Sequence, residues 1–411
     1  MSCSEWTEYR LEEVIEEFID YRGRTPKKVN LGIPLITAKI VKSGRINTPN
    51  EFIREEDYES WMTRGIPKKG DVILTTEAPL GEVAQITSNE KIALAQRIIT
   101  LRSNSSLLDN TFLKYLLQSP IMQWRLSERA SGTTVVGIKS SELKKVKVNI
   151  PSLEKQKKIA NILSSLDDKI ELNNEMNNTL EEMAQSIFKR WFVDFEFPNE
   201  DGQPYKSSGG EMVESELGMI PKGWKVKNLD EIANYLNGLA MQRFRPSKED
   251  NESLPVLKIK ELKQGATSND SDRCSCNIDD KYIINDGDVI FAWSGSLDVR
   301  IWCGGKAGLN QHLFKVTSKD YPKWFYYLWT KRYLDEFIKI AEDRATTMGH
   351  IKRSNLSEAK VLVPNQKAME KMGEKLSYLI ELFIQKSIEI RTLGELRNTL
   401  LPKLMSGKIN I

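Results

Sequence analysis

The chain has two histidines, His312 and His350, so acid-base chemistry at neutral pH would fall largely to carboxylates. Asp194 with Glu196, and Asp286 with Asp288, are carboxylate pairs of the kind that can hold a metal ion. With 57 acidic residues such pairs arise by chance, and Asp288 repeats Asp71 in what reads as a turn entering a strand. Cys274, Cys276, Cys303 and His312 have the donor types of a zinc site. The single residue between the first two is not the usual finger spacing, however, and the first half of the chain has no equivalents. Neither GxxxxGK(S/T), HExxH, GxSxG nor the Asn/Asp-Pro-Pro-Tyr/Phe of adenine methyltransferases occurs. The sequence therefore predicts no catalytic residue, no metal and no cofactor held by this chain.

The remaining polar constellations suit nucleic acid. Thr75, Thr76, Gln96 and Arg97 in the first half, and Trp293, Ser294, Ser296, Gln311 and His312 in the second, follow matched apolar blocks yet differ from each other. Donors and acceptors at equivalent but divergent positions are what reading two different base sequences requires. Thr133, Thr134 and Lys139 recur almost unchanged as Thr346, Thr347 and Lys352. Invariance suits phosphate, which is the same everywhere, and Lys39, Arg64, Lys68 and Lys260 are further candidates for it. A turn with a capping role explains the shared residues equally well.

Those correspondences belong to an internal duplication. Thr133-Thr134-Val135-Val136-Gly137-Ile138-Lys139, leading to Leu143 and Pro151, returns as Thr346-Thr347-Met348-Gly349-His350-Ile351-Lys352, leading to Leu356 and Pro364 at constant offset. Leu11-Glu12-Glu13-Val14 after Trp6 matches Leu229-Asp230-Glu231-Ile232 after Trp224. Ile33-Pro34-Leu35-Ile36 matches Leu254-Pro255-Val256-Leu257, Gly70 to Leu74 matches Gly287 to Phe291, and Leu94 to Arg97 matches Leu309 to His312. The offset drifts between blocks, as it does when loops vary around a shared scaffold.

The first copy reads as a compact α+β domain, with short apolar runs between turn residues and one helical stretch near Thr111 to Leu126, and the second copy repeats its blocks. From Leu153 to Phe195 no Gly or Pro intervenes, and Ile159, Leu163, Leu166, Ile170, Leu180, Met183 and Ile187 recur at three- and four-residue steps. That pattern predicts one long helix, started near Pro151 and stopped by Pro198. Met372, Leu376, Leu379, Phe383, Leu393, Leu396 and Leu400 repeat the stripe at the same offset, predicting a second long helix. The simplest way to bury two narrow seams is to pair them as a coiled coil. Asn173 and Asn174, with Lys386 and Ser387, make both seams polar at matching places, either setting register or facing solvent. The expected layout is a first recognition domain over 1–152, a long helix over 153–197, a linker over 198–223, a second domain over 224–365 and a second helix over 366–411.

The 411 residues are 40% hydrophobic and 28% charged, an ordinary globular balance with ample material for two cores. The net charge of +3 is small for a nucleic-acid binder, though basic residues cluster in loops such as Arg22 to Lys28 and Lys139 to Lys147. Four cysteines, no leader-like start and no membrane-length apolar run give the expectation of a soluble, cytoplasmic protein in a reducing compartment.

The two-copy layout carries three phrases: Gly218-Met219-Ile220-Pro221-Lys222-Gly223-Trp224, Met183-Ala184-Gln185-Ser186-Ile187-Phe188-Lys189-Arg190-Trp191-Phe192-Val193-Asp194-Phe195, and Leu400-Leu401-Pro402-Lys403-Leu404-Met405-Ser406-Gly407. Together, in this order, they make the chain resemble the specificity subunit of Type I restriction-modification systems over nearly its whole length. The resemblance implies an α+β fold with two target-recognition domains joined and spaced by two antiparallel conserved helices, pseudo-twofold within one chain. It implies a non-catalytic subunit that recognises a bipartite, asymmetric site in double-stranded DNA. Two methyltransferase subunits would bring S-adenosylmethionine, and two motor-nuclease subunits would use ATP and magnesium. On this layout the helices set the gap between half-sites, and Phe188, Trp191 and Phe192 exceed what a two-helix seam can bury, which marks them as partner-docking residues. Two rival readings are a single-chain DNA methyltransferase or nuclease with an unrecognised site, and a coiled-coil scaffold without DNA function.

Overall fold

The computed structural model describes residues 6–247, 252–343, 349–409 and 411. The chain divides into two compact units, unit 1 from its start to Asp168 together with Leu393–Ile411, and unit 2 over Lys169–Thr392. The first sequence copy contains β1 (Ile15–Asp20), β2 (Val72–Thr76), β3 (Leu80–Gln85), β4 (Ile98–Ser103), α1 (Asn110–Gln118) and α2 (Pro120–Glu128). After the long helix α3 (Leu153–Phe192), the second copy contains β5 (Asn234–Asn237), β6 (Val289–Ala292), β7 (Asp298–Ile301), β8 (Leu313–Thr317) and α4 (Lys323–Arg332). The second long helix is α5 (Gln366–Met405).

The duplication is a duplication of topology. In unit 1 an antiparallel sheet runs β1-β4-β2-β3, and in unit 2 its counterpart runs β5-β8-β6-β7. Beside each sheet a parallel pairing joins the matched blocks, Leu35 with Ala93 and Ile36 with Leu94 in one, Val256 with Gly308 and Leu257 with Leu309 in the other. Each sequence copy also pairs its opening strand with the strand before a long helix, Thr7–Arg10 with Lys147–Ile150 and Lys225–Asn228 with Lys360–Val363. Strand β2 is buried at every position, so Val-Ile-Leu-Thr-Thr is a central strand covered on both faces.

Asp71 and Asp288 do the same structural work. Each accepts a hydrogen bond from the backbone N–H three residues earlier, Lys68 and Asn285, both at 2.8 Å, closing the turn before β2 or β6. Each then pairs with a cation on the neighbouring strand, Asp71 with Arg102 at 2.7 Å and Asp288 with Lys315 at 2.9 Å. Asp286 is bound to Arg391 of α5 by two hydrogen bonds of 2.7 and 2.8 Å. Partial burial pushes its carboxyl up, but Arg391 and the Gly305 N–H outweigh this and hold it below the usual carboxylate range.

The single helix expected near Thr111 to Leu126 is two helices. Asp109 caps α1 by accepting from Phe112 N at 2.9 Å, and Pro120, which lacks the N–H needed to continue it, opens α2. The segment after α3 is also more than a linker, since Met212–Ser215 and Gly218–Pro221 form a hairpin and Tyr205 stacks on Phe197 at 4.5 Å. Helix α3 ends at Phe192, short of Pro198, and Phe195 adopts a left-handed φ of 62°.

At ~1.5 Å per residue, α3 and α5 are each ~60 Å long and contribute to both units. In unit 1, Ile159 and Leu163 of α3 share a core with Leu404 and Met405 of α5, and Asp167 pairs with Arg397 at 2.7 Å. In unit 2, Leu180 and Ala184 meet Leu379 and Ile380, and Asn177 Nδ2 donates to Ser387 Oγ at 3.0 Å. Numbering rises along α3 as it falls along α5, so the packing within each unit is antiparallel. The polar layer faces inward: Asn173 is fully buried, and Asn174, Lys386 and Ser387 are half-buried. Met183 and its counterpart Leu396 fall off the seam and are exposed, because a 3.6-residue helix drifts from the repeat that keeps residues on one line.

Asp167 anchors the unit 1 end of this pair, accepting from Lys114 Nζ at 2.8 Å, Tyr115 Oη at 2.7 Å and Arg397 Nη1 at 2.7 Å. Burial pushes its carboxyl up, but Lys114, Arg397 and Tyr115 outweigh burial and hold it below the usual range. A carboxyl depressed by folding contributes stability above its unfolded pKa and loses that contribution as pH falls through the folded one. Asp167→Asn is therefore expected to cost about 3 kcal/mol at pH 7, the low end for a buried pair losing one member. Urea melts of both proteins between pH 7 and pH 3 should show that gap closing below about pH 4.

Candidate nucleic-acid interface

In both units three segments meet at the end of the central strand. Thr76 N donates to Arg97 O at 3.0 Å, and Ile138 N donates to Thr76 O at 2.9 Å. In unit 2, Trp293 N donates to His312 O at 3.4 Å, and Ile351 N donates to Trp293 O at 3.2 Å. The junction thus joins the strand end, the Gln96-Arg97 or Gln311-His312 segment, and the segment that ends in Lys139 or Lys352. Its backbone bonds recur, and so do Gln96 as Gln311 and Lys139 as Lys352, while Thr76 gives way to Trp293 and Arg97 to His312, so the scaffold is constant and part of the presented chemistry varies.

In unit 1 the junction presents Gln96, half-buried, and Arg97, exposed and paired with Glu77 at 3.1 Å. Thr133, Thr134 and Lys139 are exposed on the segment that joins the junction through Ile138. Thr75 and Thr76 do not join the readout face and are corrected: both are fully buried, and Thr75 Oγ1 accepts from Glu82 N at 2.9 Å. They lie inside the strand, where β-branched residues pack well, rather than beyond its end.

The unit 2 junction is a wired cluster. His312 Nδ1 and Ser294 Oγ are 3.0 Å apart, and Gln311 Nε2 lies 3.3 Å from His312 Nε2. Since a Gln amide nitrogen only donates, His312 Nε2 accepts and Nδ1–H donates to Ser294, which fixes the tautomer. Trp293 Nε1 donates to Asn237 Oδ1 at 3.0 Å, and Trp293 stacks on Phe314 at 5.5 Å. Lys263 Nζ donates to the exposed Ser296 Oγ at 2.5 Å. Ser294 is buried, so its part is to hold His312 and not to touch bases; this corrects its place among the readout residues.

Lys39, Lys68, Lys260 and Lys352 are exposed, and Lys39 and Lys260 stand three residues after the matched strand ends Ile36 and Leu257. Arg64 is exposed but committed: its Nη1 donates to Asp20 O at 3.0 Å and Arg22 O at 2.9 Å. Thr346 and Thr347 lie outside the described residues.

Sequence reasoning missed several junction residues. Asn237, Glu77 and Lys263 orient Trp293, Arg97 and Ser296, Arg353 Nη2 donates to Tyr235 O at 3.1 Å, and Arg22 Nη2 donates to Ile138 O at 2.8 Å, tying the end of β1 to the junction. Only Arg22 carried a signal, as part of a basic loop. Among the described residues Cys274, Cys276, Cys303 and His312 do not gather into one cluster. Cys274 packs with Met241, Val256 and Ile278, while Cys303 sits in another core. Burial pushes the Cys303 thiol up to about 11, opposite to what a thiolate ligand needs.

The partner-docking reading of Phe188, Trp191 and Phe192 is overturned. Their exposures are 3%, 6% and 1%. A third layer covers them: Phe188 lies 5.0 Å from Trp329 of α4, and Phe192 lies 5.3 Å from Trp224 and 5.8 Å from Phe325. The two-helix seam was the wrong reference, because α3 also packs on the domain that follows it. The apolar residues that α3 and α5 do expose in unit 2 are Leu172, Met183 and Tyr378.

A family model described as the Type I restriction modification DNA specificity domain matches residues 3–182 and again 221–392. Among similar proteins, the Type I restriction enzyme MjaIX specificity subunit of Methanocaldococcus jannaschii is 29% identical, over 92% of this chain and 87% of the relative. The HindI specificity subunit of Haemophilus influenzae is 22% identical, over 83% of this chain and 87% of the relative. Among solved structures, the Type I restriction-modification S subunit from M. genitalium superposes with a TM-score of 0.59 at 16% identity, covering 97% of this chain and 96% of that one. At that identity the likeness concerns the fold. No described helix is long and apolar enough to cross a membrane.

Proposed function

From the premise that this chain belongs to the Type I restriction modification DNA specificity family, we propose that each unit reads one half of a bipartite, asymmetric site in double-stranded DNA. The observation that carries this reading is the junction itself, built twice with the same backbone bonds and with different side chains at the strand end, Thr76 against Trp293, and beside it, Arg97 against His312. Gln96 and Arg97 in unit 1, and Trp293, Ser296, Gln311 and His312 in unit 2, face base edges in the major groove, where all four base pairs are distinguishable. Thr133, Thr134 and Lys139, and Thr346, Thr347 and Lys352, take phosphates on either side, joined by Lys39, Lys68 and Lys260.

The chain performs no bond-breaking step in this reading. Its partners are two methyltransferase subunits, which bring S-adenosylmethionine, and two motor-nuclease subunits, which use ATP and magnesium. Methyl transfer to adenine requires the base to leave the stack, so this chain's part is to hold the duplex where that base meets the partner's pocket. The methyltransferases dock on the outer faces of α3 and α5, where Leu172, Met183 and Tyr378 are exposed.

Lys139→Ala and Lys352→Ala provide the test. Each is expected to weaken binding of specific and nonspecific duplex alike, and to reduce the slope of log affinity against log salt by about 1. Fluorescence anisotropy across a salt series measures it. An unchanged slope would mean the lysine meets no phosphate.

A further inference from the structure

The loop that closes the unit 1 junction carries two apolar side chains into solvent. Ser131 and Gly137 exchange both backbone hydrogen bonds, at 2.8 and 3.0 Å, and Gly137 also bridges Glu77. Gly132, at φ +122°, turns the chain so tightly that a Cβ there would lie 2.1 Å from Val135 O. A Cβ on Gly137 would lie 3.0 Å from Thr76 O, so the base of the loop is pressed against the strand end. Ile138, 1% exposed, plugs into the core below. Between these anchors Val135 and Val136 are 48% and 52% exposed, flanked by the exposed Thr133 and Thr134, with Lys139 following.

A single exposed hydrophobe needs no explanation. Here two adjacent β-branched ones sit at the tip of a loop pinned at both ends, whose base is joined to the strand end of the junction. Valine has little χ1 freedom to lose on contact. Against the donors and acceptors of adenine, guanine and cytosine edges it would strip water and return no hydrogen bond. Thymine is the one base whose major-groove edge carries an apolar group, the C5-methyl.

We propose that Val135 and Val136 read thymine in the half-site taken by unit 1, packing their methyl groups against a C5-methyl. This rests on the DNA-reading function above and names the base feature read. The duplication places Met348 and Gly349 against the valines in the second copy, so the contact belongs to unit 1.

The experiment uses the full chain assembled with its methyltransferase partner and the duplex it methylates. Thymines of each half-site are replaced in turn by deoxyuridine, which pairs identically and lacks only the methyl. Replacement in the unit 1 half-site is expected to weaken binding about four-fold per buried methyl, and replacement in the other half-site to leave the valine contribution unchanged. The Val135→Ala, Val136→Ala double variant should bind the thymine duplex with a similar loss and should no longer distinguish thymine from uracil there. Equal binding of thymine and uracil duplexes by the parent complex overturns the inference. So does a variant that weakens both duplexes equally while still distinguishing them, which would place the valines on a partner protein. A complex that retains no duplex selectively overturns the DNA-reading function as well, which separates the two failures.

Discussion

Replacing Gln311 and His312 together by alanine is expected to relax recognition of one half-site by about 5- to 150-fold and leave the other intact, given about 1–3 kcal/mol of discrimination per good base contact. The large effect follows from how the pair is held. Gln311 donates one amide N–H to His312 Nε2, which leaves His312 Nδ1–H to donate to Ser294, so the second Gln311 N–H and its carbonyl are the groups left to meet a base from outside the pair. An amide held in place discriminates more sharply than a freely rotating one, because less ordering cost is left to meet on binding. Selection from duplexes randomised at every position reads the result directly. If both half-sites weaken equally, these residues are positioning contacts or fold supports and not base readers.

Phe192→Ala is expected to destabilise the protein by about 3–5 kcal/mol, the range for deleting a well-packed aromatic core residue. Phe192 is 1% exposed and meets Phe188, Trp224, Trp324, Phe325 and Trp329 within ring-contact distance. Its removal leaves a cavity whose rigid indole walls cannot collapse inward. Thermal unfolding should begin roughly 10 °C earlier. A docking residue would behave differently, weakening assembly with the methyltransferase while leaving the melting of the isolated chain within about 0.5 kcal/mol.

The two long helices were legible because their period persists for tens of residues without Gly or Pro, and the two α+β units because whole blocks recur in order. The junction was legible only in outline. Matched blocks located the strand ends, but a strand end is known to within a residue or two, and Thr75 and Thr76 fell on the buried side of that margin. Phe188, Trp191 and Phe192 were misassigned for a different reason: a helical stripe shows that a face is apolar, not how many elements cover it. Asn237 and Glu77 act by holding a neighbour from a distant strand or turn, and nothing in local periodicity records such a partner. Ser294 followed the right strand block, yet only the 3.0 Å contact to His312 distinguishes a supporting hydroxyl from a reading one.

Mapping methylated adenines across the genome of cells with and without this gene puts bipartite recognition by two unlike units to the test. A single motif that vanishes with the gene is expected: two unlike half-sites separated by a fixed run of unread bases, one half altered by Gln311→Ala with His312→Ala and the other untouched. Methylation that persists without the gene, or a motif with one continuous symmetric block, would contradict it.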